Sequence, residues 1–192
     1  HFMSRRAAII TGQGFQDHDV IYTYYRLIEE GWEVDVATKD GRETIGKYGV
    51  PLPMDKTAQP LISYDDLAVD DYDAVVLTGG HEAPDRVRQV KAVLDFVRGM
   101  NAAGKVVAGL CHGPWIMVSA GVLRGKTACA YIGLRDDVIN AGANVIDGDV
   151  VVDGNIITCS YYAYVGKFMR TMFEVVEARA AEANSEKQHA RA

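Results

Sequence analysis

Short apolar runs alternate with amphipathic stretches along most of this chain. Residues 6–11 (RAAIIT) are largely apolar and end at Gly12, which predicts a buried strand. The next stretch, 17–30, carries apolar residues at helical spacing, and Asp17 or Asp19 can cap its start. The same alternation predicts strands at 32–37, 73–77 and 106–108, and helices at 89–100, after Cys111, at 135–143 and at 162–176.

Three stretches depart from this alternation. Residues 39–60 combine Gly, Pro and charged residues with little periodicity, so we predict a loop or a small hairpin. Residues 150–158 (VVVDGNIIT) predict a hairpin, because their Asp-Gly pair favours the positive φ angles of a tight turn. The end of the chain is polar. We therefore predict a single domain at 3–181 and a disordered tail at 182–192.

Strands that alternate with helices predict a mostly parallel sheet with helices on both faces. In such sheets, ligands bind beyond the carboxyl ends of the strands. Residues 12–14, residues 79–80 and Cys111 each follow a predicted strand. We therefore expect these three segments to meet at one cleft.

The composition of the chain limits which classes of binding partner we expect. A chain of 192 residues with 48% hydrophobic content can form one sizeable core. The net charge of -6 argues against a nucleic-acid surface, which needs clustered Lys and Arg. No apolar run approaches the roughly 20 residues that span a bilayer, so no membrane partner is predicted. The 3 cysteines have no paired or zinc-ligand spacing, which fits a reducing cytoplasm and predicts neither a metal nor a cofactor.

The most informative motif is G-x-C-x-G at residues 109–113 (GLCHG). It has the spacing of the G-x-S-x-G nucleophile elbow, with sulfur in place of oxygen. At a sharp strand-to-helix turn the side chain projects at the helix N-terminus, where the dipole and the N–H groups favour a thiolate. We therefore predict that Cys111 is a nucleophile with a lowered pKa. Cys129 and Cys159 lack this context and are expected to be buried structural cysteines.

The segment AGLCHGPWIMVSAGVLRGKTACAYIGLRDDVINAGA, with YDAVVLTGG before it, resembles the DJ-1/PfpI superfamily, nearest its PfpI-type intracellular protease/amidase branch. The resemblance covers nearly the whole chain. It implies a flavodoxin-like three-layer α/β sandwich, similar to class I glutamine amidotransferases, and a homodimer or a higher homo-oligomer. It also implies that Cys111 is the nucleophile and that His112 forms a triad with an acid of a neighbouring subunit, here Asp85. Gly79 and Gly80 would bind the substrate, with the N–H groups of Gly80 and His112 facing an oxyanion.

One departure from the family pattern concerns proton transfer. Gln16 stands where the family has a glutamate that serves as proton shuttle in the glyoxalase members. An amide can donate a hydrogen bond but cannot exchange a proton at a useful rate. We therefore expect Gln16 to orient the thiolate or the substrate, and glyoxalase or deglycase activity is disfavoured. Asp17 and Asp19 lie nearby, but helical geometry is expected to point them elsewhere.

A second departure from the family pattern concerns aromatic residues. Residues 159–164 (CSYYAY) replace a Ser-Arg-x-Pro type sequence of the relatives, and Trp115 replaces a common Gln. If Trp115 and Tyr161 face the cleft, an apolar or aromatic substrate is favoured. The alternative is that Trp115 and Tyr162 are core residues.

These observations predict a cysteine-dependent enzyme that acts on a small electrophilic molecule. The chemistry would be that of a hydrolase, hydratase or lyase at a carbonyl-like or isonitrile-like carbon. The alternative is a non-enzymatic redox-sensing or stress-response protein that uses oxidation of Cys111, because an accessible thiolate oxidises readily to the sulfinic acid.

Overall fold

A seven-stranded sheet forms the centre of the molecule. The structure is a computed structural model that describes residues 4–55, 57–58 and 60–192. Its strands are β1 (Arg6–Ile10), β2 (Glu33–Thr38), β3 (Thr44–Ile45), β4 (Pro51–Leu52), β5 (Ile62–Ser63), β6 (Ala74–Leu77), β7 (Val106–Leu110), β8 (Thr127–Ala128), β9 (Asn144–Val145), β10 (Val150–Asp153) and β11 (Ile156–Cys159). The main sheet has the order β10-β11-β7-β6-β1-β2-β5, and only the β10–β11 pair in it is antiparallel. The pairs β3–β4 and β8–β9 form two small separate sheets.

Helices cover both faces of this sheet. The α-helices are α1 (Asp17–Glu29), α2 (Glu82–Val87), α3 (Lys91–Ala102), α4 (Pro114–Ala120), α5 (Arg135–Asn140) and α6 (Val165–Ala190). Short 3-10 helices lie at Lys39–Gly41, Tyr64–Asp66, Val69–Asp71, Ile132–Leu134 and Tyr162–Tyr164. Alternate residues of β1 face opposite sides: Ile9 joins a core with residues of α1 and α6, and Ile10 joins one with residues of α3, α4 and α5. The predicted flavodoxin-like three-layer α/β sandwich is confirmed.

The predicted helices and strands are present, and the structure adds β5, β8, β9 and α2. The small hairpin predicted within residues 39–60 is β3–β4, and the predicted Asp-Gly hairpin is β10–β11, with Gly154 at φ 61°. Helix α2 was not predicted, because its six residues are too few to show a helical period. Residues 182–192 were expected to be a disordered tail, but α6 continues to Ala190 and all of these residues are exposed.

The order of the central strands brings the three predicted segments together. Strands β1, β6 and β7 are parallel neighbours, so their carboxyl ends lie at the same edge of the sheet. Residues 12–14 follow β1, residues 79–80 follow β6 shortly after its end, and Cys111 follows β7 directly. In the described part of the chain, no helix is long and apolar enough to cross a membrane.

Candidate active site

Cys111 occupies a strained turn between β7 and α4. Its φ is 57°, in the left-handed region that few non-glycine residues adopt. The turn is held from both sides, since Cys111 N–H donates to Cys159 O at 3.0 Å and Gly113 N–H donates to Leu110 O at 2.8 Å. A Cβ on Gly113 would overlap Leu77 O, so only glycine allows α4 to approach β6 this closely. The predicted nucleophile elbow is therefore present.

Two backbone N–H groups point at the sulfur. The N–H groups of His112 and Gly80 donate to Cys111 Sγ. Gly80 has a φ of 82°, and a Cβ there would lie 2.6 Å from both Gln16 N and Gly14 O. Glycine at this position thus lets the three strand ends meet around the cysteine, as the sequence predicts.

Asp19 lies beside the cysteine. It is 0% exposed, and its Oδ2 accepts the N–H of Gly79 at 2.7 Å. A Cβ on Gly79 would lie 2.8 Å from both Asp19 Oδ2 and Cys111 Cβ, so these two atoms are no more than twice that distance apart. The other carboxyl oxygen, Oδ1, is buried and has no hydrogen-bond partner among the residues that the structure describes. The expectation that helical geometry points Asp19 elsewhere is wrong. Gln16 N–H donates to Gly79 O at 3.0 Å and so holds the first turn of α1 against the strand end.

Burial sets the protonation of this pair. It raises the pKa of Asp19 to about 8, against a smaller opposing effect of the hydrogen bond from Gly79. Burial also raises the pKa of Cys111 to about 12, and the negative charge of Asp19 adds to this, while the N–H groups of His112 and Gly80 lower it. The predicted lowering of the thiol pKa is therefore wrong for the resting site, in which Cys111 is 5% exposed and holds its proton.

His112 contacts the sulfur through its ring. Its Nδ1 lies 3.3 Å from Cys111 Sγ. Burial, with smaller electrostatic effects of His81 and Lys47, lowers the pKa of His112 to about 4. The imidazole is therefore neutral at neutral pH. Its ring centroid lies 4.8 Å from that of Tyr131 and 6.4 Å from that of His81.

Gln16 makes its side-chain contact away from the sulfur. Its Nε2 lies 2.7 Å from Nδ1 of His18, whose ring stacks on Tyr162 with centroids 4.7 Å apart. Asp19 therefore places a carboxyl group next to the cysteine, whereas the Gln16 amide contacts His18. A carboxyl group is therefore present beside Cys111 although Gln16 replaces the glutamate of the family pattern.

Asp85 is exposed on α2, close in sequence to the half-buried Glu82. Its backbone oxygen accepts a bond from Gln89 Nε2 at 2.9 Å. His81 stands at the start of the same helix and is also exposed. The predicted triad places Asp85 against His112 of another copy, and it stays a prediction.

Of the aromatic residues in the second departure, Trp115 contacts His112 directly and Tyr161 reaches it through Tyr131. Trp115 is half-buried, its ring centroid is 5.1 Å from that of His112, and its Nε1 donates to Asp137 at 3.0 Å. Tyr161 is 38% exposed and its ring is nearly parallel to that of Tyr131, at 6.1 Å and 16°. Neither Trp115 nor Tyr162 is fully buried.

Sequence reasoning missed two of the residues at this site. Asp19 could have been found from its place in the first turn of a helix that begins just after a strand end. Tyr131 carries no motif, and only the fold brings it to His112. Among the described residues, no group of three or more His, Cys, Asp or Glu side chains could hold a metal ion.

A separate cavity of about 500 Å³ opens beyond the ends of β1 and β2. It is lined by Gly12, Tyr64 and the three basic residues Lys39, Arg42 and Arg86, among others. Neither Cys111 nor His112 lines it. This cavity is therefore distinct from the cysteine site.

Comparison with known proteins gives a consistent result. Residues 5–175 match the sequence model of the DJ-1/PfpI family. The chain is 41% identical over 167 residues to the protein named Deglycase PfpI of Pyrococcus furiosus, covering 85% of this chain and 96% of that one. Drosophila melanogaster DJ-1beta superposes with a TM-score of 0.80 at 25% identity, over 94% of this chain and 98% of that one. A two-domain protein of Anabaena variabilis with DJ-1/ThiJ/PfpI-like and ferritin-like domains superposes with a TM-score of 0.81 at 31% identity, over 89% of this chain and 48% of that one. With the elbow in place and the match spanning nearly all of the sandwich, this chain belongs to the DJ-1/PfpI family.

Proposed function

We propose that this protein is a cysteine-dependent enzyme in which Cys111 adds to a carbonyl-like carbon of a small substrate and Asp19 carries the proton. The convergence of a buried carboxyl and two N–H groups on one sulfur is the observation that supports this most directly. A buried acid with a raised pKa beside a nucleophile, at the carboxyl edge of a parallel sheet, is typical of a reaction site.

Asp19 is better suited than His112 to exchange this proton. General acid–base catalysis is most efficient when the pKa of the group lies near the working pH. The pKa of about 8 for Asp19 meets this condition, whereas the pKa of about 4 for His112 does not. When Asp19 holds a proton, its charge no longer opposes ionisation of Cys111. When Asp19 is ionised it can take the thiol proton, which leaves one negative charge on the pair, as a thiolate next to a neutral carboxyl.

The proposed step balances as an addition. A lone pair on the sulfur forms the C–S bond, and the C=O π electrons move onto the oxygen. Asp19 in its ionised form takes the proton of the Cys111 thiol as the C–S bond forms and passes it to that oxygen, while the N–H groups of Gly80 and His112 stabilise the developing charge. A relative named as a deglycase supports a carbonyl adduct as substrate. Since Asp19 supplies the carboxyl, Gln16 does not disfavour deglycase chemistry.

We assign Asp85 to the site of a second copy. Its carboxyl is exposed on α2, at the position that the family resemblance gives to the third member of the triad. There it would orient the neutral imidazole of His112. A solution mass equal to a single chain would remove Asp85 from the site. In an oligomer, Asp85→Asn should lower kcat without unfolding the chain.

The test of the proposed function is turnover of an aldehyde adduct of an amine, with methylglyoxal and N-acetyl-lysine as the probe pair. The native protein should release the amine, and Cys111→Ser should reduce kcat/KM by at least about 10³-fold. Cys129→Ser is the matched control, because Cys129 is equally buried but lies outside the turn. Equal turnover by the Cys111→Ser protein would contradict the proposal.

The redox-sensing alternative rests on the same donors. The N–H groups of Gly80 and His112 would also hold the oxygens of a sulfinate on Cys111. Mass spectrometry after mild peroxide treatment separates the two functions. Selective sulfinate at Cys111, together with no turnover of any carbonyl substrate, would favour the sensor.

A further inference from the structure

Three tyrosines form a continuous aromatic surface beside the reaction site, here called the aromatic wall: Tyr131, Tyr161 and Tyr162. The Tyr131 and Tyr161 rings are nearly parallel, with centroids 6.1 Å apart. The Tyr161 and Tyr162 centroids are 4.4 Å apart. Contact between neighbouring rings fixes their relative orientation, so the wall is a preformed surface rather than a set of independent side chains.

The aromatic wall reaches the sulfur through His112. The His112 ring contacts Cys111 Sγ on one side and lies 4.8 Å from the Tyr131 ring on the other. Tyr161 follows Tyr131, with the two ring centroids 6.1 Å apart. It is also 38% exposed, so part of this ring is open to a molecule in solution. A substrate held at the sulfur therefore has an aromatic surface within reach.

We infer that the site selects aryl carbonyl compounds, in which an aromatic ring lies on the wall while the adjoining carbonyl carbon faces Cys111. This substrate class rests on the proposed function of Cys111 as the attacking group. Offset or edge-to-face contacts between aromatic rings contribute beyond the burial of their area, whereas an alkyl group gains only the burial. Small aliphatic carbonyls would react at the same sulfur without this contribution.

Two α-bromo ketones test this selectivity at one reacting carbon. Phenacyl bromide carries a phenyl ring where bromoacetone carries a methyl group, and both alkylate a thiol with loss of bromide. The ratio of their rate constants at Cys111, divided by the same ratio for N-acetylcysteine, isolates the contribution of the ring. We expect a normalised ratio of about 10 in favour of phenacyl bromide.

Two variants test whether the aromatic wall causes the preference for phenacyl bromide. Tyr161→Ala should bring the normalised ratio to about 1, because it removes the exposed ring. Tyr164→Ala is the matched control: Tyr164 is also 38% exposed and lies three residues away. It should leave the ratio unchanged.

The outcomes separate the substrate class from the proposed function. A normalised ratio of 1 in the native protein, or a ratio that Tyr161→Ala leaves unchanged, would overturn the inference and leave the nucleophile intact. If neither reagent modifies Cys111 in the native protein, the proposed function fails and the inference fails with it. Peptide mapping identifies the alkylated residue in each case.

Discussion

The two acidic residues in the first turn of α1 have opposite surroundings. Asp17 is 3% exposed and its two oxygens accept the N–H groups of Tyr48 and Val50, each at 2.8 Å. Asp19, on the other side of the turn, is 0% exposed and leaves Oδ1 without a partner. The Asp17 carboxylate holds the loop of residues 46–50, and both of its oxygens accept a hydrogen bond. Among the described residues, the Asp19 carboxylate keeps one oxygen without a hydrogen-bond partner, as the proposed proton transfer requires. The comparison teaches that unsatisfied hydrogen-bonding capacity, more than burial, distinguishes a reactive carboxyl from a structural one.

The largest expected effect is on catalysis. Asp19→Asn keeps an acceptor for the N–H of Gly79 but cannot exchange a proton. We expect kcat/KM for the aldehyde adduct to fall by about 10² to 10⁴-fold, with the fold retained. Steady-state kinetics and far-UV circular dichroism measure the two quantities. If the activity of Asp19→Asn equals that of the native protein, the proton passes through another group.

The next effect is on stability, and it belongs to Asp17. In Asp17→Asn the amide nitrogen would face one of the two backbone N–H groups, so a donor is left opposite a donor. We expect the free energy of unfolding to fall by about 2–3 kcal/mol. Urea denaturation measures this loss. A stability unchanged within error would mean that the loop of residues 46–50 is held by other contacts.

A third prediction uses pH to separate the two acids. The pKa of Asp19 is raised to about 8 in the folded chain and is near 3.8 when unfolded. The folded state therefore binds the extra proton between these values. Its contribution to stability is fully present below about pH 4 and is lost as the pH rises to about 8, by up to about 1.4 kcal/mol per pH unit.

Because Asp19→Asn lacks this proton, its stability relative to the native protein should increase steadily between pH 4 and pH 8. The Asp17→Asn protein, whose change lies on the opposite side of the turn, should keep the native slope. Urea titrations at four pH values give these differences. A native-like slope in Asp19→Asn would show that the carboxyl is ionised throughout this range.

The smallest effect concerns Gln16. Its amide contacts His18 rather than the sulfur, so Gln16→Ala should change the rate of Cys111 alkylation by iodoacetamide less than about threefold. A larger fall would restore the orienting role that the family resemblance gives to Gln16. Since alkylation reports only on the thiol, this measurement is independent of the choice of substrate.

The elements and the elbow could be predicted from the sequence, because both depend on local signals. Strand ends, the Asp-Gly turn and the glycines around Cys111 each follow from backbone geometry within a few residues. The role of Asp19 could not be found this way. The helical period places apolar residues on one face but does not say that the first turn of α1 is held against Gly79 by Gln16 N–H. The raised pKa of Cys111 was missed for a related reason. The elbow motif predicts N–H donors near the sulfur, but it does not predict how deeply the sulfur is buried.

The bend at Cys111 is imposed by its neighbours rather than by the thiol. Gly113 sits tightly against Leu77, and Cys111 N–H is tied to Cys159 O through backbone atoms alone. A serine or alanine at position 111 keeps these backbone atoms, so the bend should survive the loss of the reactive sulfur. Such a variant would bind the substrate without reacting with it. It is therefore suitable for capturing the natural substrate from a cell extract and identifying it by mass.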